Sequence, residues 1–163
     1  MLVTLATHMP ANTVARMFGI GDDAVWRILH HYTDAARARE DFSSVTAVGI
    51  DETAARRGHD YITIFHDLKA RRILYACPGR EQSTVDRFVE DLRAHGGDPE
   101  RIDAVCIDMS KAYIAGVTRA LPDAAITFDA FHVIQLANHA VDQVRRREAS
   151  WAKSLKRSRW IWL

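Results

Sequence analysis

Nothing in this chain of 163 residues approaches the roughly 18 consecutive apolar residues that cross a bilayer, and its first residues lack a signal-peptide pattern. Cysteine is scarce: Cys77 and Cys106 are the only two, each inside a predicted strand. They are too few for a four-ligand zinc site by themselves, and nothing points to an oxidising compartment. The cytosol is the expected location, with no membrane partner. Repeats and low-complexity tracts are missing too. So is an excess of one charge: 22 basic against 21 acidic residues leave a net +1, which by itself identifies no partner. The rest is ordinary for a globular protein, 48% apolar and 26% charged, with length for one medium domain or a domain plus a small appendage.

The charge is unevenly placed. Phe42 to His139 carries eleven basic and fourteen acidic residues, whereas Ala140 to Leu163 carries seven Lys/Arg against Asp142 and Glu148. A basic tail on a near-neutral body fits contact with a phosphate backbone through Arg145, Arg146 and Arg147, and equally fits a solvated helix face. Residues 11–38 read as two helices around a tight turn. Asn12 is placed to cap the first, Gly19 to take the turn, and Asp22 or Asp23 to cap the second. Val14, Phe18, Ile20, Val25 and Ile28 are expected to fill the wedge between the helices, with small Ala15 letting them approach. The pattern resembles a DNA-binding helix-turn-helix, whose second helix enters the major groove, and Arg27 lies on that helix as a candidate DNA contact. Asp22, Asp23 and Asp34 leave the segment slightly acidic, which weakens the case.

From Phe42 the period changes. Val45–Asp51, Tyr61–His66 and Arg72–Ala76 read as three strands of an antiparallel meander, with Arg56–Asp60 and Asp67–Arg71 as its turns. A helix capped by Ser83 follows, with Val85, Phe88, Val89 and Leu92 as its apolar stripe and Gly96-Gly97 as its stop. Next come a strand Ile102–Asp108, a helix capped by Ser110 and ending near Pro122, and a strand Ala124–Phe128. A long helix starts near Phe131, and its Val133, Ile134, Ala137, Val141 and Val144 are expected to be buried. The order βββ-α-β-α-β-α matches the ribonuclease-H-like fold. That is an α/β mixed five-stranded sheet in the order 3-2-1-4-5 with flanking helices, here preceded by the helix-turn-helix.

Two strands of that sheet end on an aspartate: Val48-Gly49-Ile50-Asp51 and Val105-Cys106-Ile107-Asp108. In the 3-2-1-4-5 order these strands adjoin, so Asp51 and Asp108 share one rim. Two carboxylates there repel each other unless a cation sits between them, which points to a hard divalent ion such as Mg²⁺ (or Mn²⁺). A lone aspartate after a strand is usually a turn residue or helix cap; two such ends in a compatible topology shift the balance. Paired carboxylates holding two divalent ions can align water, or a 3′-hydroxyl, for in-line attack on a phosphodiester.

Four stretches together resemble the DDE-type insertion-sequence transposases of the ISL-three family. They are Val48-Gly49-Ile50-Asp51-Glu52, Ile107-Asp108-Met109-Ser110-Lys111-Ala112-Tyr113, Phe128-Asp129-Ala130-Phe131-His132-Val133, and the run from Asn138 to Arg146. The resemblance covers residues 11 to about 148. It implies a ribonuclease-H-like core, a divalent metal, and cleavage and strand transfer at the ends of an insertion sequence. It further implies DNA partners (transposon ends and target), a homo-oligomer in the full-length protein, and a bacterial cytoplasm. Carried over by motif, Asp51 is the first catalytic acid and Asp108 the second, both metal ligands, while Asp129 and His132 match an Asp-x-x-His signature after the fifth strand. The expected domains are a DNA-binding segment at 1–41, a partial catalytic core at 42–150 and a basic, Trp-containing tail at 151–163. The family's third acid, a glutamate, normally lies far beyond the second aspartate, and a cysteine-rich zinc module often precedes the helix-turn-helix. Neither is present, so the chain is expected to be an internal fragment, inactive alone.

Other residues have plainer readings. Glu52 points to the opposite sheet face from Asp51 if the strand continues, and reads as structural or supporting. His132 is either a helix-start histidine bonded to a backbone carbonyl or a proton shuttle or organiser of the site. Lys111 holds a DNA phosphate or faces solvent. Trp151, Trp160 and Trp162 read as packing against other parts of the full protein. The alternative from a different class is a non-catalytic helix-turn-helix DNA-binding regulator whose α/β domain senses a ligand or dimerises. A third reading is a metal-dependent nuclease unrelated to transposition.

Overall fold

A computed structural model describes residues 1–55, 60–156 and 158, which fall into two compact units, Met1–Asp41 and Phe42–Leu163. The first holds three helices: α1 (Leu2–Ala6), α2 (Ala11–Phe18) and α3 (Asp22–Arg37). Gly19 closes α2 in the left-handed region at φ 64°, where a side chain would be strained. Val14, Ala15 and Val25 are buried, packed by Leu2, Leu5, Met9 and Leu29. Helix α1 has no herald in the sequence pattern, and its leucines take the place expected for Phe18 and Ile20, which are 37% and 38% exposed. The expected caps also differ. Pro10 and Gly21 hold the N-cap positions of α2 and α3 without a side-chain bond. Asp22 and Asp23 instead lie in the first turn of α3, where their charge complements the helix dipole.

The second unit is built on β1 (Ala47–Ala54), β2 (Tyr61–Asp67), β3 (Arg72–Pro78), β4 (Ala104–Ile107) and β5 (Ala125–Phe128). They form one sheet in the order β3-β2-β1-β4-β5. β1 is antiparallel to β2 and β2 to β3, while β1–β4 and β4–β5 are parallel. This is the ribonuclease-H-like order the sequence predicts. The expected first turn falls, at residues 56–59, outside the described residues. The second turns on Asp67, whose Oδ1 accepts from the N–H of Lys69 and of Ala70.

Helices α4 (Ser83–Ala94) and α5 (Lys111–Ala120) cover one face of the sheet. Val85, Phe88, Val89 and Leu92 of α4 meet Val48, Ile50, Phe65, Val105 and Ile107, and Phe88 stacks on Phe65 with centroids 4.4 Å apart. Each such side chain contributes about 1.5–3 kcal/mol on burial. Gly116 lets the two helices close: a Cβ there would lie 2.8 Å from Cγ2 of Val85. Ser83 does not cap α4, since Gln82 holds that position. Tyr113 is fully buried; its hydroxyl lies 2.9 Å from that of Thr63, which in turn donates to the carbonyl of Gly79. Thr63 Oγ1 therefore accepts a hydrogen bond from the Tyr113 hydroxyl, and burial pushes the Tyr113 pKa up to about 12.

The last helix, α6 (Ala130–Glu148), departs from expectation. Its apolar residues join no core: Ile134 is 58% and Val144 50% exposed, and Asp142 is the buried residue of the helix. The amphipathic period is real, but among the described residues it meets only the short 3-10 helix Lys153–Leu155, whose Leu155 shares an apolar groove with Val141 and Val144. No helix of the described residues is long and apolar enough to cross a membrane.

Candidate functional site: an acidic rim on the open face of the sheet

The second face of the sheet contributes nothing to the core cluster. Pairing sets what stands on it. Gly49 is opposite His66 on one side and Cys106 on the other, and Cys106 is opposite Thr127. Two residues further along three of these strands come Asp51, Asp108 and Asp129, on the same face because strand side chains alternate. They line one cleft of about 130 Å³, together with His66, Cys106 and His132. The four residues expected at the site are therefore brought together.

Each carboxylate is tethered to its own backbone. Oδ1 of Asp51 accepts from Glu52 N–H at 2.8 Å, and Oδ1 of Asp108 from Ser110 N–H at 2.9 Å. Asp129 caps α6 by accepting from Phe131 N–H at 3.0 Å, and its Oδ2 meets Nδ1 of His132 at 2.9 Å. The Phe131 N–H, and then His132, hold the Asp129 carboxyl below its ordinary pKa. His132 thus bonds a carboxylate rather than a backbone carbonyl. Its Nδ1 carries the proton, which leaves Nε2 available. Among the described residues, no hydrogen-bond donor engages the second oxygen of Asp51 or of Asp108. No three His, Cys, Asp or Glu side chains of the described residues are grouped to hold an ion. What fits Mg²⁺ or Mn²⁺ is a pair of hard carboxylate oxygens on one rim, with room for water or substrate as further ligands.

His66 escaped the sequence reading. Its imidazole lies over Gly49 so closely that a Cβ there would sit 2.1 Å from Nε2. Two signals were available: a glycine inside a strand marks a close approach, and His66 alternates onto the face that carries Asp51. At Phe65/His66 the pairing with β3 shifts register, passing over Leu74, an irregularity that re-aims side chains.

The candidate DNA contacts scatter. Arg27 is exposed on α3, in the other unit, and Lys111 is exposed at the start of α5. Arg145 is committed internally, with Nε and Nη2 on Oδ1 of Asp142 and Nη1 on the Leu155 carbonyl. Arg146 places Nε 2.7 Å from Oδ2 of Asp142 but keeps its other donors outward, and Arg147 has no side-chain partner among the described residues. Glu52 lies 3.7 Å from Arg80, on the covered side of the sheet. Trp151 is exposed; Trp160 and Trp162 lie outside the described residues.

A ribonuclease-H-like sheet with an acidic rim, joined to a helix-turn-helix, defines a class of DNA-processing domains. Family comparison sharpens this. Residues 1–33 match the helix-turn-helix domain of transposase family ISL3, and residues 48–163 match that family's DDE transposase domain. The chain belongs to transposase family ISL3. It is 33% identical over 158 residues to the transposase for insertion sequence element IS1001 of Bordetella parapertussis, covering 92% of this chain and 38% of that protein. It is 30% identical over 131 residues to the transposase for insertion sequence element IS1557 of Mycobacterium tuberculosis, covering 80% of this chain and 29% of that one. The chain thus spans about a third of the length of these relatives. Among solved structures, a chain of the simian T-cell lymphotropic virus intasome in complex with PP2A regulatory subunit B56 gamma aligns at TM-score 0.40 and 14% identity, over 98% of this chain and 67% of that one.

Proposed function

We propose that this chain forms the DNA-binding segment and part of the catalytic core of an insertion-sequence transposase, which cuts and rejoins DNA with a divalent ion at Asp51 and Asp108. One observation carries the reading: three strand-end carboxylates stand on one sheet face around a single cleft. The family match over 48–163 speaks against a regulator whose α/β domain only senses a ligand. When bound, Mg²⁺ or Mn²⁺ would activate a water or 3′-hydroxyl and neutralise charge on the departing oxygen. Asp51 and Asp108 supply the negative charge that attracts the ion. Asp129 fixes the ring of His132 so that Nε2 can hold or pass a proton at the cleft. His66 forms the floor beside Asp51. In the full-length protein these groups act at transposon ends and target DNA, in a homo-oligomer in the bacterial cytoplasm, with the helix-turn-helix reading duplex sequence through α3 and Arg27.

Alone, the chain is expected to bind the ion without cutting DNA. Glu148, another acid on α6, lies roughly 27 Å along that helix from Ala130, at 1.5 Å per residue. It lines an apolar groove with Val141 and Val144 rather than the cleft. The test is calorimetric titration with Mn²⁺, paired with a strand-nicking assay. Asp51→Asn and Asp108→Asn should each remove metal binding while the parent chain leaves DNA intact. Unchanged binding in both variants sinks the metal reading, and nicking abolished by Glu148→Gln would place Glu148 in the site after all.

A further inference from the structure

On α6, Ala130, Ile134, Ala137, Val141, Val144 and Glu148 recur at alternating steps of four and three residues, and all six are exposed. Such spacing confines the apolar residues to one narrow strip, the form of a seam between two helices. The stripe of α4 is broader, with Val85, Phe88, Val89 and Leu92 spread over the side that meets the sheet. At 3.6 residues per turn, the strip stands opposite His132, Gln135 and His139, which line the groove that opens at Asp108. Its C-terminal half already forms an apolar groove of about 440 Å³, lined by Ala140, Val141, Val144 and Leu155. Glu148 lines that groove too, and its carboxylate has no partner among the described residues.

A seam of this form takes a helix, and α6 complements itself. We infer that this strip is the interface for a second copy of the chain, with the two α6 helices antiparallel about a two-fold axis level with position 139. Ala130 then lies opposite Glu148 of the second copy, Ile134 opposite Val144, and Ala137 opposite Val141, and each layer occurs twice. Ile134 is the knob that enters the groove beside Leu155. Charge selects the direction. In a parallel pair, Arg145, Arg146 and Arg147 of both copies would crowd one end. In the antiparallel pair, each Glu148 meets the first turn of the other α6, which holds no acidic residue and carries the positive end of the helix dipole. The inference gives a surface to the homo-oligomer proposed above and leaves both clefts open. Two helices in contact over roughly 27 Å bury on the order of 1,000 Å², the low edge of specific interfaces. The dimer is therefore weak, with a dissociation constant of about 10 μM, and the folded monomer prevails on dilution.

The test is sedimentation velocity on the full 163-residue chain, without DNA or metal, at concentrations from about 1 to 100 μM. The parent should pass from monomer to dimer over that range. Ile134→Glu should weaken association at least about tenfold, and Glu148→Gln about threefold. Ile134 and Leu136 are equally exposed, at 58% and 57%, but Leu136 lies outside the seam, so Leu136→Glu should associate like the parent. Val144→Glu takes the place of Ile134→Glu if circular dichroism finds that variant unfolded. Direction is read by disulfide trapping in a Cys106→Ser background. Chains carrying Ala130→Cys should cross-link to chains carrying Glu148→Cys and not to each other. A parent that stays monomeric, an equal loss in Leu136→Glu, or cross-links between two Ala130→Cys chains overturns the proposal. A monomeric parent leaves Mn²⁺ binding at Asp51 and Asp108 untouched, and failure of metal binding leaves the dimer standing.

Discussion

Helix α4 buries Val85, Phe88, Val89 and Leu92 against the sheet, whereas α6 leaves Val133, Ile134, Val141 and Val144 in contact with water. The two sequences carry the same helical period. What separates them is geometry: α4 lies beside α5 on the hydrophobic face of the sheet, while α6 follows β5 at the carboxylate rim. An amphipathic pattern therefore defines a side, not a partner. In this chain the covered side holds the fold together, and the uncovered side carries the groups free to meet a ligand.

The sharpest way to break this contrast is to empty both helices. Phe88→Ala removes a fully buried ring stacked on Phe65 and should cost about 3–5 kcal/mol. Ile134→Ala should stay within about 0.5 kcal/mol. Equal shifts of the urea midpoint would mean that α6 is as firmly packed as α4.

A second probe titrates the covered side. The folded chain holds the Tyr113 proton to about pH 12, while the unfolded chain releases it near the ordinary value of 10.0. The tyrosine's contribution is complete below pH 10 and is lost as pH rises toward 12, at about 1.4 kcal/mol per pH unit. Stability measured against Tyr113→Phe should diverge over that window, and parallel curves would place the hydroxyl in water.

On the open side, Gly49→Ala forces a methyl into the His66 ring and should cost about 1–3 kcal/mol. His66→Ala should relieve most of it in the double variant. Additive losses would show that the ring does not rest on Gly49. The smallest effect belongs to Asp129. Its lowered pKa stabilises the fold at neutral pH, and that contribution fades as pH falls through the folded value. An NMR titration of the Asp129 carboxyl should place its midpoint below the usual carboxylate range, and His132→Ala should raise it.

Strand order and the rim were legible because each rests on a local signal. β-branched runs ending on Asp51 and Asp108 mark strands, and the βββ-α-β-α-β-α order leaves few ways to lay them in a sheet. His66 was harder to find because its relation to Gly49 is a contact across two strands, and one sequence records no pairing. The capping errors at Asn12 and Ser83 have a simpler origin: the neighbouring residues, Pro10 and Gln82, start those helices first. Phe18, Ile20 and the apolar side of α6 failed for one shared reason. Apolar side chains announce a wish for cover, and only the packed structure reveals whether a neighbour such as α1 has already supplied it.

The tethers at the rim bear on time as well as geometry. Oδ1 of Asp51, of Asp108 and of Asp129 each closes a short ring with a backbone N–H one or two residues ahead. A side chain closed in this way has given up its torsional freedom during folding, so the entropy is lost before any cation arrives. Asparagine keeps the acceptor that closes each ring and replaces the free charged oxygen with an amide nitrogen that cannot ligate a hard cation. A binding defect in Asp51→Asn or Asp108→Asn therefore reports the lost charge and ligand oxygen with the backbone tether kept, while alanine at the same positions also sets the loop swinging.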